Sequence, residues 1–353
     1  MNKKVISILK YVLGLGIGLG LLYLALRDVD FVKVKAGFRE ANYLWVGIGL
    51  VVAILSHWFR AVRWKLLFRA AGYESNSLNL FAAVMVGYMV NQAVPRAGEI
   101  SRVTLGSKTE RIPMSVSFGT FVTDRIFDVI CLGLLVLLVF ALQFEQIQLI
   151  MDKAFASSDG SESGGGSLLL PILAGVGVLG AVVVFLMRKR LAKIGIFKKA
   201  FDFLGQMWEA ILSIRKMDQP VLFVVYTLGI WVCYIMMTYL VFFALDETAD
   251  LPFLFAVTAF TMGGIGMLFP SPGGIGSYHF AIISSFVAYA AAFGWTEQAA
   301  KDVGTNIAFI IHTSQFIMMI VVGFLSYLYL VPKIKVSEGE VEEEKGGETV
   351  AAG

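Results

Sequence analysis

Cysteine, histidine and charge are all scarce in this chain. Of 353 residues only two are cysteine, Cys131 and Cys233, and both sit inside apolar runs. That pattern offers no disulfide framework and no paired-cysteine metal site. Histidine occurs at 57, 279 and 312 alone. No His-Glu-x-x-His element and no Ser/His/Asp constellation is apparent, which argues against a hydrolase. Charged residues make up 16%, against about 25% in an average soluble domain. The net charge of +3 leaves no nucleic-acid footprint. No long polar stretch exists that would fold into a soluble domain holding a nucleotide or a tRNA.

What is present is apolar. Hydrophobic residues make up 58% and the mean hydropathy is +0.77. The apolar residues fall in blocks of about 20, the length that crosses a bilayer. Alternating segments of about ten residues, the mark of a membrane β-barrel, are missing. The composition therefore predicts an all-α, polytopic helical membrane protein, with a single integral domain over 1–336. Full spans are expected at 5–26, 44–66, 113–143, 168–187, 220–245 and 303–331. The first has a basic start and no small-residue cleavage site before Arg27, so it reads as a retained helix and not a removed signal. Two further apolar segments are interrupted: 78–94 followed by 97–105, and 253–269 followed by 272–293. Between the spans lie a Ser/Gly-rich loop, 144–167, and a basic loop, 188–219. Within the basic loop, 196–214 has the spacing of an amphipathic surface helix. The acidic end, 337–353, has no periodicity and is expected to be disordered.

Basic loops stay in the cytoplasm. The 188–219 loop carries eight Lys and Arg residues, whereas 144–167 has only Lys153 and 246–252 has none. This puts both termini inside and 144–167 outside, in a cell (inner) membrane. One segment disagrees: 27–43 holds Arg27, Lys33, Lys35 and Arg39 yet falls outside. The resulting order is span, span, broken segment, span, twice over and with opposite orientation. The two halves, about 1–150 and 168–331, thus read as an inverted repeat. Pro95-x-x-Gly98 in the first answers Pro270-x-x-Gly273 in the second.

Proline breaks a helix and glycine permits unusual turns. Broken helices persist in a membrane only where protein or a water-filled cavity covers them. Both segments are therefore expected to form re-entrant hairpins with facing tips, the usual sequence pointer to a transport site. In the first, Asn91 and Gln92 are placed to satisfy backbone groups freed at the turn. Pro95 suits the start of a short helix. Arg96, Glu99 and Arg102 share one broad face of it. The amides at its start, together with Arg96, would suit an anion such as phosphate. The plainer alternative makes Arg96 and Arg102 interfacial positive charges and Glu99 a helix-start acid. In the second segment, Pro270, Pro272, Gly273, Gly274 and Gly276 would expose amides to an anionic head group, or only allow close packing.

Asp124 and Asp128 share a helical face beside Arg125 and are natural partners for the arginines of the first hairpin, either in a cavity or in a structural salt bridge. His57, Arg60 and Arg63, flanked by Trp58 and Trp64, read mainly as interfacial anchors. On the last span Asn306, His312 and Gln315 interrupt the apolar surface. His279 is the one ionisable group of the second broken segment; it and His312 either pack or face a cavity.

These residues also carry a resemblance. NQAVPRAGEISRV, then TDRIFDV, then FPSPGGIGSYHF is similar to the lysylphosphatidylglycerol synthase transmembrane region family, also called flippase-like domain proteins, over roughly 5–331. In its bifunctional members the resemblance implies a lipid-translocating domain joined to a soluble transferase that uses aminoacyl-tRNA. This chain stops after the membrane part, so lysyl transfer is not expected, nor any enzymatic activity or cofactor. The resemblance implies binding and movement of an anionic phospholipid or polyprenyl-linked lipid. It points to Asn91, Pro95, Arg96, Gly98, Glu99, Arg102, Asp124, Arg125, Pro270, Pro272, Gly273, Gly274 and Gly276. Two alternatives stand beside it. One is a lipid-binding accessory subunit of a lipid-modifying or glycosyl-transferring enzyme, and the other is an ion-coupled small-solute transporter. An enzyme partner or a homo-oligomer is compatible with either lipid reading.

Overall fold

The computed structural model describes residues 16–145 apart from 17 and 28, single positions between 202 and 214, then 217–269 and 271–351, with side chains to 334. The expected span 168–187, most of 5–26, the loop 144–167, nearly all of the basic loop and Pro270 lie outside the described residues. Among the described residues all regular structure is helical. The chain divides into two units, Met1–Arg125 with Lys216–Gly353, and Ile126–Arg215.

The first unit is built from short and long helices in alternation. Helix α1 (Phe31–Glu40) starts at Asp30, whose carboxylate accepts from the amides of Val32 and Lys33. Helix α2 (Tyr43–Ala70) starts at Asn42 and α3 (Ser77–Ala93) at Asn76, each side-chain oxygen accepting from amides of the first turn. Such caps satisfy donors that have no partner inside the helix. Helix α4 (Ala97–Glu110) follows at once, and α5 (Met114–Leu142) begins in this unit and runs on into the second. After Lys216 come α6 (Pro220–Phe242), the single turn α7 (Asp246–Ala249), α8 (Phe253–Gly266), α9 (Ser277–Tyr289) and α10 (Glu297–Ala351).

Five of these stretches are long and apolar enough to cross a membrane: Tyr43–Ala70, Met114–Leu142, Pro220–Phe242, Pro272–Phe293 and Glu297–Ile334. Four coincide with expected spans. The fifth, 272–293, is the second limb of a segment expected to be re-entrant. A 3-10 turn over Pro272–Gly274 and another over Ala290–Phe293 extend α9 at both ends, giving an apolar stretch of 22 residues. Its partner α8 has 14 residues, about 21 Å at 1.5 Å each, short of the roughly 30 Å hydrocarbon core. At the other end, α10 keeps a helical backbone through the acidic segment to Ala351, where no regular structure was expected. Glu and Lys are good helix formers, and the helix enters that segment already nucleated.

Packing in the first unit relies on small residues. A Cβ on Gly229 of α6 would lie 2.9 Å from the Phe59 ring of α2, and one on Gly49 would lie 3.4 Å from the Met237 carbonyl. Without a water-driven hydrophobic effect between helices in lipid, such close approach is what holds them. Ala53, Met85 and Met318 form a buried centre where α2, α3 and α10 meet. A second cluster is aromatic, with Phe255 edge-on to Phe286 at 4.9 Å and Phe242 5.9 Å from Phe286, joining α6, α8 and α9.

Candidate functional site

Both broken segments fold back on themselves. In the first, a Cβ on Gly98 of α4 would fall on the carbonyl oxygen of Gly87 in α3, and one on Gly87 would lie 2.8 Å from the carbonyl of Gly98. The two limbs are therefore in backbone contact, which only glycine permits. Asn91 ties the turn: its Oδ1 accepts from the Gly98 amide at 2.8 Å. In the second, a Cβ on Gly266 would lie 2.7 Å from the Ser277 carbonyl. Gly273, Gly274 and Gly276 all have positive φ, a conformation that other residues adopt at a cost. The tips meet, since a Cβ on Gly273 would lie 2.5 Å from Oε1 of Gln92. His312, on α10, supports the same turn through Nε2, 2.8 Å from the Gly273 carbonyl.

The chemistry lies behind the first hairpin. Asp124 is fully buried and three guanidinium groups converge on it. Arg63 approaches with both Nε at 2.8 Å and Nη2 at 2.6 Å from the same oxygen, Oδ1, in charge-assisted contacts that are among the strong ones. Arg60 and Arg102 reach Oδ2 at 3.3 and 3.1 Å. Further bonds fix the first two: Arg60 donates to the Tyr234 hydroxyl and Arg63 to the Thr227 hydroxyl. Arg102 lies with its guanidinium carbon 4.2 Å from the Trp64 ring centre, and Trp64 is held by a bond to Thr120. Although Arg102 is only 5% exposed, its Nε and Nη2 have no hydrogen-bond partner among the described residues. Buried polar groups in folded proteins are nearly always paired, so these two donors mark a place for an acceptor. Arg102 is one of the residues that line a small cleft, with Tyr88, Asn91, Gly98, Glu99 and Arg125, which has room for about one water. At its rim Glu99 pairs with Arg125 at 3.1 Å, each 36% exposed.

Several expectations change. Arg60 and Arg63 are not interfacial anchors. They are buried and hold Asp124. Their depth in α2 was the available signal, since Arg60 lies about 15 Å from the end of that helix. The start of α4 is not an anion site. The helix begins at Ala97, two residues after Pro95. The Gly98 amide is taken by Asn91 and the Ala97 amide by the Val94 carbonyl. Arg96 sits at φ 66 and is exposed, apart from the residues that line the cleft. Asp128 is half-buried and falls in the second unit. His279 is buried against Phe309 and His312, with ring centres 4.4 and 4.6 Å away, and belongs to the second hairpin and not to the cleft. Among the described residues no group of three or more His, Cys, Asp or Glu is placed to hold a metal.

A profile of the lysylphosphatidylglycerol synthase TM region matches residues 11–323, which is most of the chain. The chain belongs to that family. Two curated relatives are similar over shorter stretches, both described as UPF0104 membrane proteins. One, from Methanocaldococcus jannaschii, is 30% identical over 99 residues, 27% of this chain and 30% of the relative. The other, from Methanothermobacter thermautotrophicus, is 26% identical over 131 residues, 35% and 39% of the two chains. The match thus spans about a third of each relative's length. No solved structure matches the chain. Membership extends across both hairpins, the Asp124 cluster and α10 up to residue 323, and makes the chain a multi-pass membrane protein.

Proposed function

We propose that this protein binds an anionic lipid by its phosphate and moves it between the leaflets of the cell membrane, with both termini in the cytoplasm. The observation that carries the reading is Arg102. It is a buried cation with two donors unmet, beside a cleft between the limbs of a hairpin. A phosphate oxygen satisfies two parallel guanidinium donors better than any neutral ligand. The family description supports a lipid as the source of that phosphate. The paired hairpins meet at their tips through Gln92 and Gly273, the arrangement that places a transport site in transporters built from repeats. The reading assigns no chemical step to the chain.

Purified full-length protein in liposomes, with traces of fluorescent phosphatidylglycerol, phosphatidic acid, polyprenyl phosphate or phosphatidylcholine, tests it. After an outer-leaflet quencher is added, the anionic lipids should lose their protected signal faster than in empty liposomes. Arg102→Gln should slow this on the order of ten-fold or more, the worth of a hydrogen bond to a charged group. Arg102→Lys, which keeps the charge, should slow it less. Binding without movement would reduce the protein to a lipid-holding subunit. If folded protein shows no binding and no movement of any of these lipids, the proposal is overturned.

A further inference from the structure

The cleft at Arg102 carries its own anion. Glu99 is the only acid among the residues that line it, and its Oε1 is 3.1 Å from Nη2 of Arg125. Both side chains are a third exposed, whereas Arg102 behind them is almost wholly buried. The pair is therefore nearer the solvent than the Arg102 side chain behind it. The space between holds about one water, and a phosphate, with four oxygens, is much larger. No phosphate reaches Arg102 while Glu99 and Arg125 stand as they do. Glu99 is also the cheapest element to move. Its bond to Arg125 is about a third exposed, where an ion pair contributes little, whereas Asp124 is locked among three arginines. An incoming phosphate offers Arg125 the same acceptor geometry as a carboxylate and adds a second contact at Arg102.

We infer that Glu99 is a resident counter-ion that gates the cleft: it holds Arg125 across the entrance, and a phosphate group enters by displacing it and takes Arg125 and Arg102 together. This rests on the reading of Arg102 as a phosphate site. It adds that binding is an exchange of anions, in which Glu99 sets the threshold. Removing the charge on Glu99 therefore strengthens binding, the opposite of what loss of a structural ion pair or of a ligand contact would do.

The test is binding of fluorescent short-chain phosphatidic acid to detergent-solubilised full-length protein, followed by anisotropy, with inorganic phosphate as competitor. Glu99→Gln should bind the probe tighter, by up to about five-fold, the equivalent of a weak ion pair removed. Glu99→Asp, which keeps the charge, should stay near wild type. Inorganic phosphate should compete better against the Gln variant if the site takes a free anion, and poorly against both proteins if the acyl chains are required. Either result is compatible with the gate and tells the source. Equal or weaker binding by Glu99→Gln, with wild type binding intact, overturns the gate and leaves the phosphate site standing. Tightening by Glu99→Asp as large as by Glu99→Gln overturns it too, since charge is then not the cause. No binding by wild type, with Arg102→Gln indistinguishable from it, overturns the phosphate site itself.

Discussion

Asp124 is the residue on which the buried polar network turns. Its two oxygens serve Arg60, Arg63 and Arg102, and Arg63 also donates to its backbone carbonyl at 3.3 Å. Burying charge costs several kcal/mol per ion before pairing offsets it. Removing the one carboxylate leaves three guanidinium groups facing one another. Asp124→Asn should therefore destabilise the protein by about 3–5 kcal/mol, read as a lower unfolding temperature in detergent. The double variant Asp124→Asn with Arg63→Gln should cost less than the sum of its single changes, because the two residues share one interaction. The Asp-Arg pair at 124–125 and the first-hairpin arginine Arg102 were legible as partners in the sequence, because a charge in an apolar span needs one. The shares of Arg60 and Arg63 were not. Trp58 and Trp64 beside them imitate the aromatic belt at a membrane surface, and only the tertiary packing of α2 against α5 and α6 shows that the same arginines point inward. Arg96 misled in the other direction: Asn91 was expected to serve backbone groups freed at the turn, and the Gly98 amide it takes is one that Arg96 was expected to share.

The hairpins depend on glycine at two crossing points. Gly98 of α4 meets the backbone of Gly87, so a methyl group there must push the limbs apart. Gly98→Ala should cost about 1–3 kcal/mol, the range for overpacking. The loss should appear as faster hydrogen exchange in α3 and α4 before it appears elsewhere. Gly47, on the exposed face of α2, has nothing within 4 Å of the place a methyl group would occupy, so Gly47→Ala should be neutral or stabilising by up to about 1 kcal/mol through helix propensity. Equal effects at the two sites would deny the close crossing. Helix starts at Asn42 and Asn76 and the breaks at Pro95 and Gly273 follow from residue type, and that much of the element plan was readable. The length of the second limb was not. The 3-10 turns that extend it at both ends leave no periodic signal in the sequence. Helix α1 was also unforeseen. It is a single amphipathic stretch inside a loop read only for its charge.

That loop bears on the orientation of the whole chain. Positive-inside counting places 27–43 outside despite four basic residues, the one disagreement in an otherwise consistent set. Lys33 pairs with Asp302 at 3.3 Å, and Asp302 also accepts from the amide of Asp30 and from Gln298. The pair ties α1 to the start of α10. Acids weigh little in the rule, so this pairing leaves the disagreement standing. The orientation is tested by labelling single cysteines with an impermeant maleimide after Cys131 and Cys233 are replaced by alanine. Cysteines placed in 157–166, and at the exposed Ala36, should react in intact cells. Those in 188–199 should react only after the membrane is opened. If Ala36→Cys labels from the same side as 188–199, the disagreement was the true signal. The chain would then enter the membrane with its first span reversed, and the two halves would no longer be inverted copies. The opposite result would put Glu99 and Arg102 on the cytoplasmic side of the first hairpin. The phosphate would then be met by the Arg102 cleft as it enters from the leaflet where lipids are made, and Gln92 and Gly273, at the meeting of the tips, would be the next contacts on its path.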